Sequence, residues 1–124
     1  MRILIADDEQ GMRLSLKAFL RSKVSDSRID VVINGAEAVS AFRTGNYDVV
    51  LMDINMPIKD GYQACLEIQE ICRQENLKMP FIIFCTGFTL PKEVEKLIAD
   101  KTHYALLQKP VDCEQIGEIF KTLK

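Results

Sequence analysis

Val49-Val50-Leu51-Met52-Asp53 is the stretch that decides the fold, because four apolar residues run without interruption and end on a carboxylate. A short, continuous apolar run of this kind is typical of a strand that is buried on both faces of a sheet. A second such run extends from Phe81 to Cys85, directly after Pro80. Strands buried on both faces need helices on each side of the sheet, so the two runs together favour an α/β fold.

Shorter apolar runs alternate with amphipathic segments on both sides of these two strands. Further strands are predicted at residues 2–6, 31–33 and 104–107. Apolar residues at helical spacing predict helices at residues 10–22 and 36–43, and others that begin near Gly61, Pro91 and Asp112. Five successive βα units predict one parallel sheet of five strands, covered by five helices and joined by right-handed crossovers.

Two local signals predict how particular helices begin and end. Gly45, which lies between Thr44 and Asn46, is expected to end the second helix as a glycine cap. Asp112 and Gln115 have the spacing of a capping box, in which each side chain accepts a hydrogen bond from the other residue's backbone. This spacing predicts that the last helix begins at Asp112.

Length and composition restrict what the chain can be. With 124 residues, 48% hydrophobic and 27% charged, we expect a single globular domain over residues 1–124 and no separate output domain. A net charge of −2 gives no sign of nucleic-acid binding, and no apolar run approaches the ~20 residues that span a membrane. The four cysteines are interpreted as buried thiols, which favours a cytoplasmic location, and His103 is expected at the surface.

Acidic residues follow two of the predicted strands, and a lysine follows a third. Asp7-Asp8 come after the first strand, Asp53 comes at the end of the third, and Lys109 comes after the fifth. The carboxyl ends of parallel strands share one edge of the sheet, where ligands bind. Three carboxylates and one ammonium leave two negative charges there, which a divalent cation would neutralise. Oxygen ligands of this kind suit Mg²⁺, and a phosphoryl group can follow such a cation.

The loops at this edge carry further candidate residues. Pro57 stiffens the loop that holds Asp53, and Asp60-Gly61 reverses the chain into the next helix. Thr86 ends the fourth strand, and its hydroxyl can donate to a phosphoryl oxygen. Each of these residues, taken singly, is also typical of an ordinary loop or strand end.

In combination, these motifs resemble the receiver domain of response regulators in two-component signalling. The resemblance covers residues 3–123 and is carried by five motifs in order. They are Ile-Ala-Asp-Asp-Glu at 5–9, Leu-Met-Asp-Ile-Asn-Met-Pro at 51–57, Asp-Gly at 60–61, Thr-Gly at 86–87 and Lys-Pro at 109–110. Any one of them is a weak signal, whereas all five at the ends of the right strands are a specific one.

This resemblance implies a fold and a set of residue roles. The fold would be flavodoxin-like, with the sheet order 2-1-3-4-5. Asp53 would accept the phosphoryl group, while Thr86 and Lys109 would contact its oxygens. The implied Mg²⁺ ligands are Asp8 and Asp53 directly, Asp7 mainly through water, and the backbone carbonyl of Asn55.

The same resemblance implies partners. A histidine kinase or a histidine phosphotransfer domain would supply the phosphoryl group, and a downstream protein would bind the surface of helix 4, strand 5 and helix 5. The chain would catalyse its own phosphorylation and dephosphorylation without being a conventional turnover enzyme. The long polar stretch at residues 73–79 slightly favours an origin in the receiver of a hybrid sensor histidine kinase.

The chain departs from the family pattern at residues near Thr86 and Lys109 and keeps the pattern at the acidic residues. The family usually has an aromatic residue three positions before the lysine, where this chain has Leu106, and Tyr104 lies two positions earlier. Phe88 places a bulky ring two residues after Thr86, where it is expected beside the site. Leu90-Pro91 gives helix 4 an unusual start.

Three other functions are compatible with an α/β fold. A pseudo-receiver would be a protein-interaction module that is not phosphorylated, but the presence of every acidic, hydroxyl and lysine position argues against it. A phosphatase of the haloacid-dehalogenase type needs Asp-x-Asp after the first strand, whereas Asp7 and Asp8 are adjacent. A flavodoxin-like cofactor binder needs a Ser/Thr/Gly-rich phosphate loop at the same place. A phosphorylation-dependent signalling switch is therefore the leading prediction.

Overall fold

One five-stranded parallel sheet lies between two layers of helices in the computed structural model, which describes residues 1–123. The elements in chain order are β1 Arg2–Ala6, α1 Gln10–Lys23, β2 Arg28–Val32, α2 Gly35–Thr44, β3 Val49–Asp53, α3 Gly61–Glu75, β4 Phe81–Thr86, α4 Lys92–Ile98, β5 Tyr104–Gln108 and α5 Cys113–Thr122. The strands are ordered β2-β1-β3-β4-β5. The predicted fold and strand order are confirmed.

The central strands are buried on both faces because each face of the sheet has its own hydrophobic core. One core packs side chains such as Val50 and Met52 of β3 against α2, α3 and α4. The other packs Val49 and Leu51 of the same strand against α1 and α5. All five residues of β3 are buried, which explains why this strand has no alternation of polar and apolar residues.

The register of the strands determines which loop residues meet at the carboxyl edge. Ala6 of β1 pairs with Met52 of β3, so the residues that follow them, Asp7 and Asp53, are neighbours across the two strands. On the other side of β3, Asp53 pairs with Cys85 of β4. The crevice at this edge therefore lies between two acidic strand ends, where the strand order reverses direction.

Strand β2 differs from its predicted position. It spans Arg28–Val32 rather than residues 31–33, and Arg28 pairs with Arg2 at its start. At the start of this edge strand, Arg28 and Asp30 flank Ile29, which is its only buried residue. The strand therefore does not begin with a continuous apolar run.

The predicted helix ends at Gly45 and Asp112 are confirmed, but the predicted geometry of both caps is wrong. Gly45 ends α2 with an extended backbone (φ −154°), so it is not a left-handed glycine cap. The Asp112 side chain accepts a hydrogen bond from the Glu114 N–H, and no reciprocal bond from Gln115 completes a capping box among the described contacts. A capping box is present instead at the start of α3, where Asp60 and Gln63 bond to each other's backbone.

The cysteines and the surface are only partly as predicted. Cys65, Cys72 and Cys85 are buried free thiols, whereas Cys113 is exposed, contrary to the prediction of four buried thiols. His103 is at the surface, where its Nδ1 lies 2.8 Å from an Asp100 carboxylate oxygen. Within residues 1–123, no helix has the length and apolar character needed to cross a membrane.

Candidate functional site

Three carboxylates lie together at the carboxyl edge of the sheet. Asp7 directly follows β1 and is 2% exposed, and Asp53 ends β3 and is 4% exposed. Asp8 is exposed because successive residues of an extended chain point in opposite directions. One carboxylate oxygen from each of the three lies within 4.8 Å of the others. The cluster thus has two buried carboxylates and one that faces water.

Lys109 reaches into this cluster from the end of β5. Its Nζ lies 3.1 Å from Oδ2 of Asp7 and 3.2 Å from Oδ2 of Asp53. Burial alone would lower the pKa of the Lys109 ammonium, but the hydrogen bonds and charges of the two carboxylates outweigh burial and raise it. Lys109 therefore stays protonated and bridges both buried acids.

The ionised form of Asp53 is disfavoured by its surroundings. Burial, and then the charge of Asp7, raise the pKa of Asp53 above its usual value, although Lys109 and the Asn55 N–H act in the opposite direction. The neighbouring Cys85 thiol has its pKa raised to about 12, chiefly by burial and then by the Asp53 charge, so it stays neutral. A single ammonium thus leaves Asp53 with uncompensated negative charge.

Backbone N–H groups hold the two buried carboxylates, and one arginine holds the backbone at Asp7. The Asn55 N–H donates to Asp53 Oδ1 at 3.3 Å, and the Glu9 N–H donates to Asp7 Oδ1 at 2.9 Å. Arg13, one turn into α1, donates from its guanidinium to the Asp7 carbonyl at 2.9 Å. Sequence reasoning missed Arg13, and nothing in its spacing singles it out, because the contact depends on the reach of a long side chain.

The loop between β3 and α3 is held close to the rest of the site through two glycines. A Cβ on Gly61 would lie 2.3 Å from the Asp53 carbonyl oxygen, and a Cβ on Gly35 would lie 2.2 Å from the Lys59 carbonyl oxygen. Backbone hydrogen bonds are made by the same two glycines: Gly35 N–H donates to Lys59 O, and Gly61 N–H donates to Ile54 O. Gly61 is needed here for close approach, since its φ is not positive.

Ile58 is strained within this loop. Its φ is +71°, a left-handed conformation that is unfavourable for a β-branched residue. Its side chain is also 82% exposed, so no burial of the side chain offsets the strain. Backbone hydrogen bonds on either side of Ile58 hold the loop in this conformation. The Lys59 N–H donates to Pro57 O, and the Gly61 N–H donates to Ile54 O.

Thr86 ends β4 as predicted, whereas Phe88 is arranged differently from its predicted placement beside the site. The Thr86 hydroxyl oxygen accepts a hydrogen bond from the Phe88 N–H at 3.1 Å and lies 3.4 Å from the Phe88 carbonyl. The Phe88 ring is 74% exposed, so it extends into solvent and does not cover the acidic cluster. Thr86 itself is 1% exposed. Its hydroxyl therefore lies at the carboxyl edge of the sheet, but it is hydrogen-bonded to the loop that follows it.

Leu106 and Tyr104 of β5 are both part of the core on the α3 and α4 side. Tyr104 is buried, stacks on Phe84 with ring centroids 6.1 Å apart, and bonds through its hydroxyl to Gln69 of α3. Leu106 is half-buried and packs against the same core. The aromatic ring on β5 is thus fixed at the far end of the strand from Lys109.

The residues of the cluster fit a magnesium ion. All three carboxylates supply hard oxygen donors, and the exposure of Asp8 leaves the cluster open to water, which Mg²⁺ retains in part. Burial, and then the charge of Asp7, raise the pKa of Asp53, and a divalent cation beside these carboxylates would favour their ionised forms. Asp7, Asp8 and Asp53 are the described residues that could hold it.

Comparison with known proteins assigns this architecture to a family. Residues 3–121 match the response regulator receiver domain family. Chemotaxis protein CheY of Halobacterium salinarum is 31% identical over 121 residues, which are 95% of each chain. The receiver domain of a sensor histidine kinase from Pseudomonas aeruginosa PAO1, solved with a magnesium ion in its active site cleft, is 30% identical; it covers 98% of this chain and 95% of its own, with a TM-score of 0.78.

Other relatives are longer than this chain. The chain spans 33% of protein-glutamate methylesterase/protein-glutamine glutaminase 1 of Methanosarcina acetivorans and 50% of response regulator Rre1 of Synechocystis, each 31% identical. What these proteins share with the chain is therefore one domain. With a family match over nearly its whole length and a CheY relative of equal extent, the chain belongs to the response regulator receiver domain family.

Proposed function

We propose that this receiver domain is a phosphorylation-dependent signalling switch that accepts a phosphoryl group on Asp53. The observation that carries the proposal is the position of Asp53, at the point where two other carboxylates and Lys109 converge. The donor would be the phosphohistidine of a histidine kinase or of a histidine phosphotransfer domain. The product would then change how the domain binds a downstream protein.

In the proposed reaction, a carboxylate oxygen of Asp53 forms a bond to phosphorus as the phosphorus–nitrogen bond of the donor breaks. The leaving imidazole takes the electron pair and then a proton, and an acyl phosphate remains on Asp53. The transition state is loose and spreads negative charge over the equatorial phosphoryl oxygens. Mg²⁺, when bound by the acidic cluster, would supply positive charge to those oxygens.

Lys109 and Thr86 would stabilise the same oxygens. Lys109 already lies within hydrogen-bond distance of Asp53, so a small movement of its Nζ would transfer its donors to a phosphoryl group on that residue. The hydroxyl of Thr86 would have to leave the backbone of Phe88 to make an equivalent contact. Phosphorylation would thereby couple the site to the loop between β4 and α4.

The downstream partner is proposed to bind the surface formed by α4, β5 and α5. This surface begins at the two loops that follow Thr86 and Lys109, so it is the part of the molecule nearest to the groups that would move. The seven residues of α4 bury only Val94 in full, which leaves this helix weakly anchored compared with α3. Weakly anchored elements are the ones that respond most readily to a local change.

Intact-mass measurement with Mg²⁺ and a small phosphodonor such as acetyl phosphate tests the proposal. The parent protein should gain one phosphoryl group, and Asp53→Asn should gain none. Asp60→Asn is the matched control, because Asn also caps a helix and Asp60 lies on the same loop outside the cluster. An equal phosphoryl adduct on Asp53→Asn would overturn the assignment, and no adduct on the parent would favour the unphosphorylated pseudo-receiver.

A further inference from the structure

Asp8 differs from the other two carboxylates of the acidic cluster in how it is held. Asp7 and Asp53 each accept a hydrogen bond from a backbone N–H, and both pair with Lys109. Asp8 is exposed, and its side chain takes part in none of the hydrogen bonds or ion pairs found within residues 1–123. The position of its carboxylate in the cluster therefore depends on the backbone on either side of it.

The backbone turn that carries Asp8 leads into a helix that has no side-chain cap. Helices α2, α3 and α5 each begin with a side chain that accepts a hydrogen bond from the first turn. Glu9, the residue at the start of α1, makes no such bond. A cap ties the first turn of a helix to the residue before it. Without one, the turn between β1 and α1 needs another contact to hold it against the helix.

Arg13 makes that contact. Its guanidinium donates to the Asp7 carbonyl oxygen at 2.9 Å. This carbonyl belongs to the planar peptide group that joins Asp7 to Asp8, so the bond fixes the orientation of that peptide and the direction in which the Asp8 side chain leaves the backbone. Leu16 and Leu20 bury α1 against the sheet, so the arginine is attached to a helix that is itself held in place.

Arg13 bonds to a carbonyl although three acidic residues are close to it in sequence. Asp7, Asp8 and Glu9 all precede it. In the part of the chain that the structure describes, none of the ion pairs includes Arg13. Lys109, by contrast, pairs with both buried carboxylates. The arginine thus holds the turn without occupying a carboxylate oxygen, which leaves Asp8 free to bind a cation.

We propose that Arg13 is a positioning residue for the magnesium site: it orients the Asp7–Asp8 peptide so that the Asp8 carboxylate lies in the cluster before the ion binds. This role depends on the magnesium site of the proposed function. A ligand that is already in place loses less freedom on binding, so the affinity is higher. The positive charge of Arg13 has the opposite effect, because it repels Mg²⁺. Removal of Arg13 therefore weakens Mg²⁺ binding if the residue positions Asp8, and strengthens it if only its charge matters.

Titration of the full chain with MgCl₂, followed by ¹H–¹⁵N NMR spectra, measures this sign. Arg13→Met keeps an unbranched apolar stem and removes the donors and the charge. Its Kd for Mg²⁺ should be raised by about fivefold, as expected for the loss of one hydrogen bond. Lys17→Met is the matched control, because it removes the same charge one turn further along α1 and should not raise the Kd. Arg13→Lys keeps a charge and a donor, so its Kd should lie below that of Arg13→Met.

The Mg²⁺ dependence of phosphorylation by acetyl phosphate separates this role from a purely structural one. Arg13→Met should need about fivefold more Mg²⁺ for its half-maximal rate and should reach nearly the parental rate at saturation. A structural role alone would lower stability and leave this concentration unchanged. A Kd for Mg²⁺ in Arg13→Met or Arg13→Lys at or below the parental value would overturn the inference and leave phosphorylation of Asp53 standing. Phosphorylation of Asp53→Asn would instead overturn the proposed function, so the two failures are distinguishable.

Discussion

Lys109 is shared between two buried carboxylates, and this sharing determines the charge of the site. Its Nζ is nearly equidistant from Asp7 and Asp53, at 3.1 and 3.2 Å. One positive charge cannot neutralise two buried negative ones and the exposed Asp8 beside them. The remaining negative charge makes the folded protein respond to protonation, to a cation and to removal of a carboxylate, each in a direction that can be worked out.

The first prediction concerns the pH dependence of stability. The pKa of Asp53 is raised in the folded state above 3.8, its usual value, so its charge costs stability. The cost is absent below the unfolded pKa, grows as the pH rises through the folded pKa, and is complete at neutral pH. In the presence of EDTA, Asp53→Asn should therefore raise the free energy of unfolding at pH 7 by about 1 kcal/mol, and the gain should vanish near pH 3.

Urea unfolding at several pH values measures this gain. Asp60→Asn, a substitution on a half-buried helix cap outside the acidic cluster, should show no comparable pH-dependent gain. If Asp53→Asn were less stable than the parent at pH 7, the carboxylate would be a stabilising group, contrary to the raised pKa.

The second prediction concerns the metal. Mg²⁺ should raise the melting temperature of the parent, because a ligand that binds only the folded state stabilises it by about 1.4 kcal/mol at ten times its Kd. Asp8→Ala should remove this response, and without metal the variant should be slightly more stable than the parent, since one of three clustered like charges is gone. Glu9→Ala, which removes the next acidic residue outside the cluster, is the control. A full Mg²⁺ response in Asp8→Ala would exclude Asp8 as a ligand.

Residues at strand ends were predictable from the sequence, whereas the contacts of their side chains were not. The positions of Asp7, Asp53 and Lys109 follow from the alternation of strands and helices, which burial imposes on the chain. The bond from Arg13 to the Asp7 carbonyl and the engagement of the Thr86 hydroxyl by Phe88 depend on rotamers and loop geometry. Such contacts leave no periodic signal in the sequence.

The β3–α3 loop is the element that holds the proposed phosphoryl acceptor, and its geometry is tightly constrained. Gly35 and Gly61 allow backbone to approach backbone on both sides of it. Ile58 occupies a left-handed conformation between the points where the loop is bonded. The loop therefore stores strain at one exposed residue while it keeps Asp53 and Asn55 in fixed positions.

The third prediction concerns this strain. Asn tolerates positive φ far better than a β-branched residue, so Ile58→Asn should raise the free energy of unfolding by about 1 kcal/mol. Asn76, at the end of α3, has φ +54° and is the matched position. The reciprocal substitution Asn76→Ile should lower the free energy of unfolding by about the same amount. Denaturant unfolding measures both, and a loss of stability in Ile58→Asn would show that the isoleucine side chain is needed there.

Element boundaries were predictable where burial is two-sided and less so at the edges. Strands β3 and β4 are continuous apolar runs, and their predicted starts at Val49 and Phe81 agree with the structure. Strand β2 was placed three residues too late because Arg28 and Asp30 of this edge strand face solvent in part. Gly45 ends α2 as predicted, but the sequence does not reveal its backbone angles, which are extended rather than left-handed.

At the scale of the whole molecule, the Tyr104 ring of β5 is held in the core, away from the acidic cluster. Tyr104 is buried near the amino end of the strand, where it bonds to Gln69 and stacks on Phe84. Leu106, closer to Lys109, is half-buried and has no hydroxyl to exchange between solvent and the core. Any movement that follows phosphorylation would therefore have to pass through the loop after Thr86.

The fourth prediction rests on that arrangement. Binding of beryllofluoride with Mg²⁺, which mimics the phosphoryl group, should draw the Thr86 hydroxyl away from Phe88 and reshape residues 87–90 and the start of α4. The rotamer of Leu106 should change little. Structures with and without the mimic decide between the alternatives, and a rotated Leu106 with an unchanged 87–90 loop would contradict the prediction.

The measurement that tests the central claim most directly is identification of the phosphorylated residue. The protein is phosphorylated with acetyl phosphate and Mg²⁺, treated with borohydride, which reduces an aspartyl phosphate to homoserine, and then mapped by peptide mass spectrometry. The account predicts homoserine at position 53 and at no other aspartate, and none when Mg²⁺ is removed. Homoserine at another aspartate with Asp53 intact would contradict it.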